Sequence, residues 1–281
     1  SAMKRRASRT AVMVAGYRAR ATDRPDPVCS DPWAGWLAGD EGVAFCEAFD
    51  QVQPAMELWI AVRTAAIDAR VRALTRAEAT ARQVVLLGAG LDTRAARLAT
   101  PGVRYFEVDQ PASQADRRAR LAAVPTYPQD VAVEVACDFE REDFLERLVA
   151  AGFDPAAPAV IVWEGVSCYL HDATVRATLG RIASACNPET TVLFDYVGKA
   201  LAAGDARDAG DRDTIGAVAG HGEPIRWGTH DVLPLLYAAG FRRVRARTFD
   251  ELALEYTGTY DRARRWRFQS IAEASVSGRP S

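Results

Sequence analysis

The stretch Val84-Val85-Leu86-Leu87-Gly88-Ala89-Gly90-Leu91-Asp92-Thr93 decides the fold. Four consecutive apolar residues read as a strand buried on both faces, the form strands take in a parallel sheet. Gly-x-Gly then turns the chain directly toward a helix. Glycine there permits a tight turn and lets a ligand come close to the backbone.

Working outward, further short β-rich runs stand at 105–108, 131–136, 160–163 and 191–194. Amphipathic stretches near 93–99, 112–123, 141–150 and 172–185 separate them. Strands alternating with helices predict a parallel sheet, and right-handed crossovers make it doubly wound, a Rossmann-like α/β fold. A helix near 230–239 and strand-like runs at 242–249 and 265–272 close it.

The first 80 residues have another rhythm. Residues 8–20 predict a short helix, a loop follows through Pro25, Pro27 and Asp31-Pro32, and a long helix runs from Pro54 to about Glu78. Its apolar positions are Leu58, Val62, Ala65, Ala66, Ala69 and Leu74, at three- and four-residue steps. We therefore expect an N-terminal helical cap over 1–80 and a ligand-binding domain over 81–281. Residues 198–228 contain Gly198, Gly204, Gly210, Gly216, Gly220, Gly222 and Gly228. So long a segment after strand five predicts a lid or substrate loop, or a disordered insert.

Composition excludes several classes. Lys plus Arg number 35 and Asp plus Glu 37, a formal charge of −2, which gives no field to draw in nucleic acid or an anionic membrane. The five scattered cysteines do not read as a disulfide framework. Cys168 and His171 stand three apart without a second such pair, so no metal is expected. No apolar stretch approaches the roughly 20 residues a membrane span needs. Arg18 and Arg20 interrupt any signal-peptide core, so the expectation is a cytoplasmic protein.

Acids mark the strand ends. Glu107-Val108-Asp109 closes the second run, with Asp109 19 residues after Gly90, where a carboxylate can accept both hydroxyls of a ribose. Cys137-Asp138-Phe139 closes the third, pairing an acceptor for an adenine amino group with a ring to cover the base. Trp163-Glu164-Gly165 closes the fourth. Gly88, Ala89, Gly90 and Gln110 complete the cofactor set, since ligands of such sheets bind outside the carboxyl ends of the strands. Asp92 at the helix start would repel a pyrophosphate, and Thr93 stands where a dinucleotide fingerprint wants a small residue. A phosphate-free, cationic cofactor, S-adenosylmethionine, suits these acids better than NAD.

The chain resembles the leucine carboxyl methyltransferase family, including its bacterial relatives. The resemblance rests on Leu87-Gly88-Ala89-Gly90-Leu91-Asp92-Thr93-Arg94, Phe106-Glu107-Val108-Asp109-Gln110-Pro111, Cys137-Asp138-Phe139 and Glu164-Gly165-Val166-Ser167-Cys168-Tyr169-Leu170. It spans roughly residues 8–200. It implies that Gly88, Asp109, Asp138, Phe139 and Glu164 hold S-adenosylmethionine, and that Arg63 grips its methionine carboxylate. Eukaryotic members carry an N-terminal lysine near the active site; the matching stretch here reads Ser8-Arg9-Thr10-Ala11.

The bacterial members imply an O-methyltransferase forming a methyl ester on a small organic acid, of a polyketide-type natural product. A carboxylate acceptor needs positioning rather than deprotonation, and Arg226, Tyr169 and Tyr196 are the candidates. A phenolic acceptor would need a base, and His171, His221 and His230 are the histidines. A protein C-terminal carboxylate is a further acceptor. An NAD-dependent oxidoreductase and a non-catalytic cofactor-binding protein are readings of other classes. The oligomeric state is unknown from sequence.

Overall fold

The computed structural model describes residues 2–199 and 225–277, so most of the expected lid at 198–228 lies outside the described residues. Three helices come first: α1 (Ala2–Thr22), α2 (Ala34–Asp50) and α3 (Met56–Thr75). The alternating part follows as β1 (Gln83–Leu87), α4 (Arg94–Arg97), β2 (Arg104–Asp109), α5 (Pro111–Ala122), β3 (Val133–Ala136), α6 (Phe144–Ala150), β4 (Val160–Trp163), α7 (Asp172–Ala185) and β5 (Thr191–Val197). Then come α8 (Val232–Ala239), β6 (Arg243–Thr248), α9 (Phe249–Thr257) and β7 (Gln269–Ser275).

The strands form one sheet in the order β3-β2-β1-β4-β5-β7-β6. β1 to β5 are parallel, while β7 runs antiparallel between β5 and β6. Chain order reverses at β1, which pairs with both β2 and β4. A crevice opens at such a reversal, beyond the carboxyl ends of the strands. Every residue of β1 is buried. Val84 and Leu86 face one core, with α3 and α9, and Val85 and Leu87 face the other, with α6, α7 and α8.

Two helices were not expected. α2 bends at Gly39, whose φ of 59° breaks the helix and with it the apolar periodicity. α9 carries ordinary signals, Asp250 and Glu251 in its first turn and Gly258 just past its end. It is shorter than the usual window for periodicity, and β6 runs straight into it. β7 begins at Gln269 rather than 265, because the 3₁₀ turn Arg264–Trp266 intervenes. Among the described residues no helix is long and apolar enough to cross a membrane.

The helical cap shares its core with the sheet. Met13, Tyr17, Trp59, Ile60 and Ile67 are buried in the cluster that contains Val84, Leu86, Val160 and Leu193. Ile67→Ala should therefore destabilise the whole chain, by about 2–5 kcal/mol for truncation of a buried isoleucine. Urea unfolding followed by tryptophan fluorescence should show one transition, moved to lower urea. A transition split in two by this substitution would contradict the shared core.

Candidate functional site

The loop after β1 is held by backbone geometry first. Gly88 and Gly90 have φ of +74° and +50°, the left-handed region that favours glycine. The N–H groups of Gly88 and Ala89 donate to the Val108 carbonyl at 2.8 and 3.0 Å, tying the loop to the end of β2. A Cβ on Gly88 would stand 2.7 Å from Val166 Cγ2, so the post-β4 segment also closes on this turn. Asp109 accepts from the Gly90 N–H through Oδ2 and from the Gln110 N–H through Oδ1, both at 2.7 Å. Each carboxylate oxygen keeps a lone pair for a further donor. Burial raises the Asp109 pKa, against these two N–H donors.

Behind the loop lies a chain of buried ion pairs. Arg94 is almost wholly buried and donates to Asp68 at 2.8 Å, to Asp92 at 2.7 Å and to both oxygens of Glu164 at 3.0 and 3.1 Å. Glu164 also faces Arg63, whose Nε is 3.3 Å away, and Arg63 Nη1 donates to Asp195 at 3.0 Å. In the other direction Arg97 joins Asp68 at 2.5 Å, and Arg18 joins Asp31 at 3.1 Å. Thr93 donates to Asp31 at 2.7 Å and accepts from Arg97 at 2.8 Å. The network thus runs from α1 through α3 and the β1 loop to β4 and β5.

Several sequence expectations change here. Asp92 does not stand as a bare charge at a helix start, because Arg94 neutralises it. Its argument against a pyrophosphate falls. The geometry supplies another one: α4 has only four residues, too short for a strong helix-terminal anion site, and Arg94 and Arg97 are engaged by protein carboxylates. Arg63 and Glu164, read separately, are brought together as one ion pair. Arg63 Nε is buried and makes no hydrogen bond among the described residues, Glu164 lying at ion-pair distance without the required geometry.

At the end of β3, Asp138 is partly exposed and accepts from the Glu140 N–H at 3.1 Å. Phe139 is half-buried beside Phe144, with ring centroids 6.4 Å apart. Gln110 begins α5, and its backbone N–H is the one that Asp109 takes.

The segments after β4 and β5 meet each other. The N–H groups of Arg226 and Trp227 donate to the Cys168 carbonyl at 2.7 and 3.2 Å. Arg226 Nη1 lies 3.3 Å from His171 Nε2, and Trp227 Nε1 donates to Asp172 at 3.1 Å. Tyr169 is half-buried and close enough to Arg63 to add to the rise of its pKa, after the larger effects of Asp195 and Glu164. Tyr196 shares an apolar cluster with Trp227 of this group. It projects from β5 on the face opposite Asp195, buried beside Phe194 with ring centroids 5.9 Å apart, and its hydroxyl pairs with Ser270 across the strands. Strand alternation makes it a core residue. His230 lies near Gly198, just past β5, and His221 is outside the described residues.

The sequence reading missed Asp195, Asp68, Asp31, Arg18, Arg97 and the role of Arg94. One signal was present: a charged residue in an otherwise apolar buried strand, Asp195 between Phe194 and Tyr196, needs a partner. For the rest, only the packed structure says which acid meets which arginine.

The sequence model of the leucine carboxyl methyltransferase family matches residues 11–183, over half of the chain. The chain belongs to that family. Its sequence is 39% identical over 199 residues to a protein of Parafrankia sp. strain EAN1pec named as an inferred S-adenosyl-L-methionine-dependent methyltransferase. That match covers 66% of this chain and 62% of the relative's length. A Mycolicibacterium smegmatis protein with the same kind of name is 34% identical over 215 residues, 72% of this chain and 71% of its own. Among solved structures, an inferred methyltransferase from Thermobifida fusca YX superposes with a TM-score of 0.62 at 18% identity. It covers 87% of this chain and 93% of that one. A duf574 family protein from Streptomyces avermitilis reaches 0.62 at 14% identity, covering 94% and 97%. These two show the fold.

The ion-pair network makes a pH-dependent prediction. Burial alone would raise the Glu164 pKa; the guanidinium charges of Arg94 and Arg63 outweigh it and hold the carboxyl well below its ordinary 4.5. A depressed folded-state pKa means stability that is present above about pH 4.5 and lost as pH falls below it. Glu164→Gln should lower stability at pH 7 by about 1–3 kcal/mol and flatten the decline between pH 5 and pH 3. Urea midpoints across that range measure both. A variant whose decline parallels the wild type would contradict the assignment.

Proposed function

We propose that this chain is an S-adenosylmethionine-dependent methyltransferase that forms a methyl ester on a small organic acid. The observation that carries the cofactor is the Arg63 guanidinium at the ends of β4 and β5, held by Glu164 and Asp195 and lying next to Gly165. A methionine carboxylate arriving at Gly165 would meet it, and a guanidinium is suited to that partner. The neighbouring residues fit the remaining groups of such a molecule. Asp109 would take the ribose hydroxyls with its remaining lone pairs, and Asp138 with Phe139 would hold the adenine. Gly88, Ala89 and Gly90 leave room for close approach. The five carboxylates and four guanidiniums of the network leave an acid excess that suits a cationic sulfonium. Family membership and the names of the relatives support the same reading.

When bound, this cofactor supplies an electrophilic methyl group on sulfur. The protein then needs to hold the acceptor in line and keep water away. A carboxylic acid is already ionised at neutral pH, so no side chain has to remove a proton. Arg226 and Tyr169, from the two segments that meet beyond β4 and β5, would position the acceptor carboxylate. We also propose a cytoplasmic location. His171 beside Arg226 is the one observation that favours a phenolic acceptor instead, because it could serve as the base.

Three measurements bear on these readings. Asp109→Ala should weaken S-adenosylhomocysteine binding at least about tenfold, the effect of removing a hydrogen-bonded carboxylate; wild-type affinity in calorimetry would sink the site. Arg63→Ala should weaken S-adenosylmethionine but leave adenosine binding nearly unchanged, whereas equal losses point to a folding defect. Turnover of a carboxylic acid at saturation should be nearly flat from about pH 6 to 9, and His171→Gln should keep most of it. Its product should release methanol in mild alkali. An alkali-stable product would move the acceptor to a phenol and leave the methyltransferase reading standing.

A further inference from the structure

Gly90 is gripped on both sides. Asp109 accepts its N–H at 2.7 Å, and Arg117 Nη1 of α5 donates to its carbonyl at 3.1 Å. The Arg117 side chain is 5% exposed, and its Nη2 reaches the Tyr127 hydroxyl at 3.3 Å and Glu107 Oε2 at 2.5 Å. Glu107 lies in β2 two residues before Asp109, hence on the same face of the sheet. Burial pushes the Glu107 carboxyl up to about 7, and the Arg117 charge works against that rise.

Nothing in the sheet requires such an arrangement. The β1–β2 pairing is continuous from Gln83 to Leu87 without help from α5. The next residue, Arg118, behaves as a surface arginine ordinarily does, 58% exposed and paired with Glu134. Arg117 is instead desolvated, and its main-chain target is a glycine carbonyl. Glycine has the widest conformational freedom of any residue, so a Gly90 held at one end only could rotate about φ and ψ. With both N–H and C=O held, both angles are fixed, and so is the direction of the N–H that orients Asp109. Arg18 of α1 holds the next carbonyl, that of Leu91, at 2.7 Å.

We infer that Arg117, braced by Glu107 and Tyr127, is a positioning residue for recognition of the cofactor ribose, acting through Gly90 on the carboxylate of Asp109. The inference rests on the methyltransferase reading above, since it presupposes a ligand whose ribose Asp109 takes. Its chemistry is specific: loss of the clamp should degrade recognition of the ribose hydroxyls and spare the adenine and methionine ends.

Calorimetric titration with S-adenosylhomocysteine and with its 2′-deoxy and 3′-deoxy analogues tests this directly. The wild type should bind the deoxy analogues about tenfold or more weakly than the parent, as loss of a hydrogen bond to a charged acceptor implies. Arg117→Met should bind the parent about tenfold weaker while its affinity for the analogues moves by less than about threefold, so that discrimination between them collapses. Arg118→Met, one position along the helix, should leave all three affinities alone. An equal loss for every ligand would make Arg117 a general structural residue and overturn the proposal, as would no loss for any. Should Arg117→Met not fold, the near-isosteric Glu107→Gln must reduce discrimination in the same direction, and full discrimination in that variant overturns the proposal too. A wild type that binds none of the three ligands defeats the methyltransferase reading itself, an outcome distinct from every variant result.

Discussion

Arg94 carries a permanent positive charge to a place where almost no water reaches it. A guanidinium does not shed its proton inside a protein, so carboxylates have to come to it. They come from three places: Asp68 from α3, Asp92 from the loop after β1 and Glu164 from the end of β4. Burying charge is costly, and pairs of this kind add modest net stability once desolvation is counted. Their stronger effect is geometric. A shift of α3 against the loop or the loop against β4 would strand a buried charge, at a cost of several kcal/mol.

That constraint propagates. Glu164, oriented by Arg94, faces Arg63; Arg63 in turn meets Asp195, which also accepts the Gly165 N–H at 2.6 Å. Asp68 passes the restraint to Arg97, then through Thr93 to Asp31 and Arg18 on the cap. The helical cap is thereby tied to the loop after β1 by ions as well as by apolar packing. Ala11 of α1 lies against Gly90, within 3.6 Å of where a Cβ would be. The cap is part of the wall of the crevice rather than an appendage to it.

The loop itself differs from an anion cradle. In a pyrophosphate site the helix after the glycine turn presents free N–H groups and a long dipole. Here that helix is one turn long, and Asp92 accepts the Arg94 N–H at 2.7 Å. Carbonyls of the turn are held instead by arginines reaching in from α1 and α5. In this loop backbone polar groups are taken up by protein side chains rather than left for an anion. The segment around Arg226 is pinned to the Cys168 carbonyl, which places it against the residues following β4.

Much of this was legible in the sequence. Apolar runs broken by glycine and acids determined the five parallel strands and the positions of Asp109, Asp138 and Glu164 at strand ends, because those features are local and periodic. Family motifs pointed to Arg63 by itself. What the sequence could not decide was partnership. Arg63 and Asp195 are 132 residues apart, and Arg18 and Leu91 are 73 apart. With 35 basic and 37 acidic side chains in the chain, no spacing rule selects which of them meet. The same holds for the facing of Tyr196. One residue of register puts it on the opposite face from Asp195, and only the packed sheet shows which face meets the helical cap. Charge pairing and facing are properties of distance in space, which local sequence pattern does not encode.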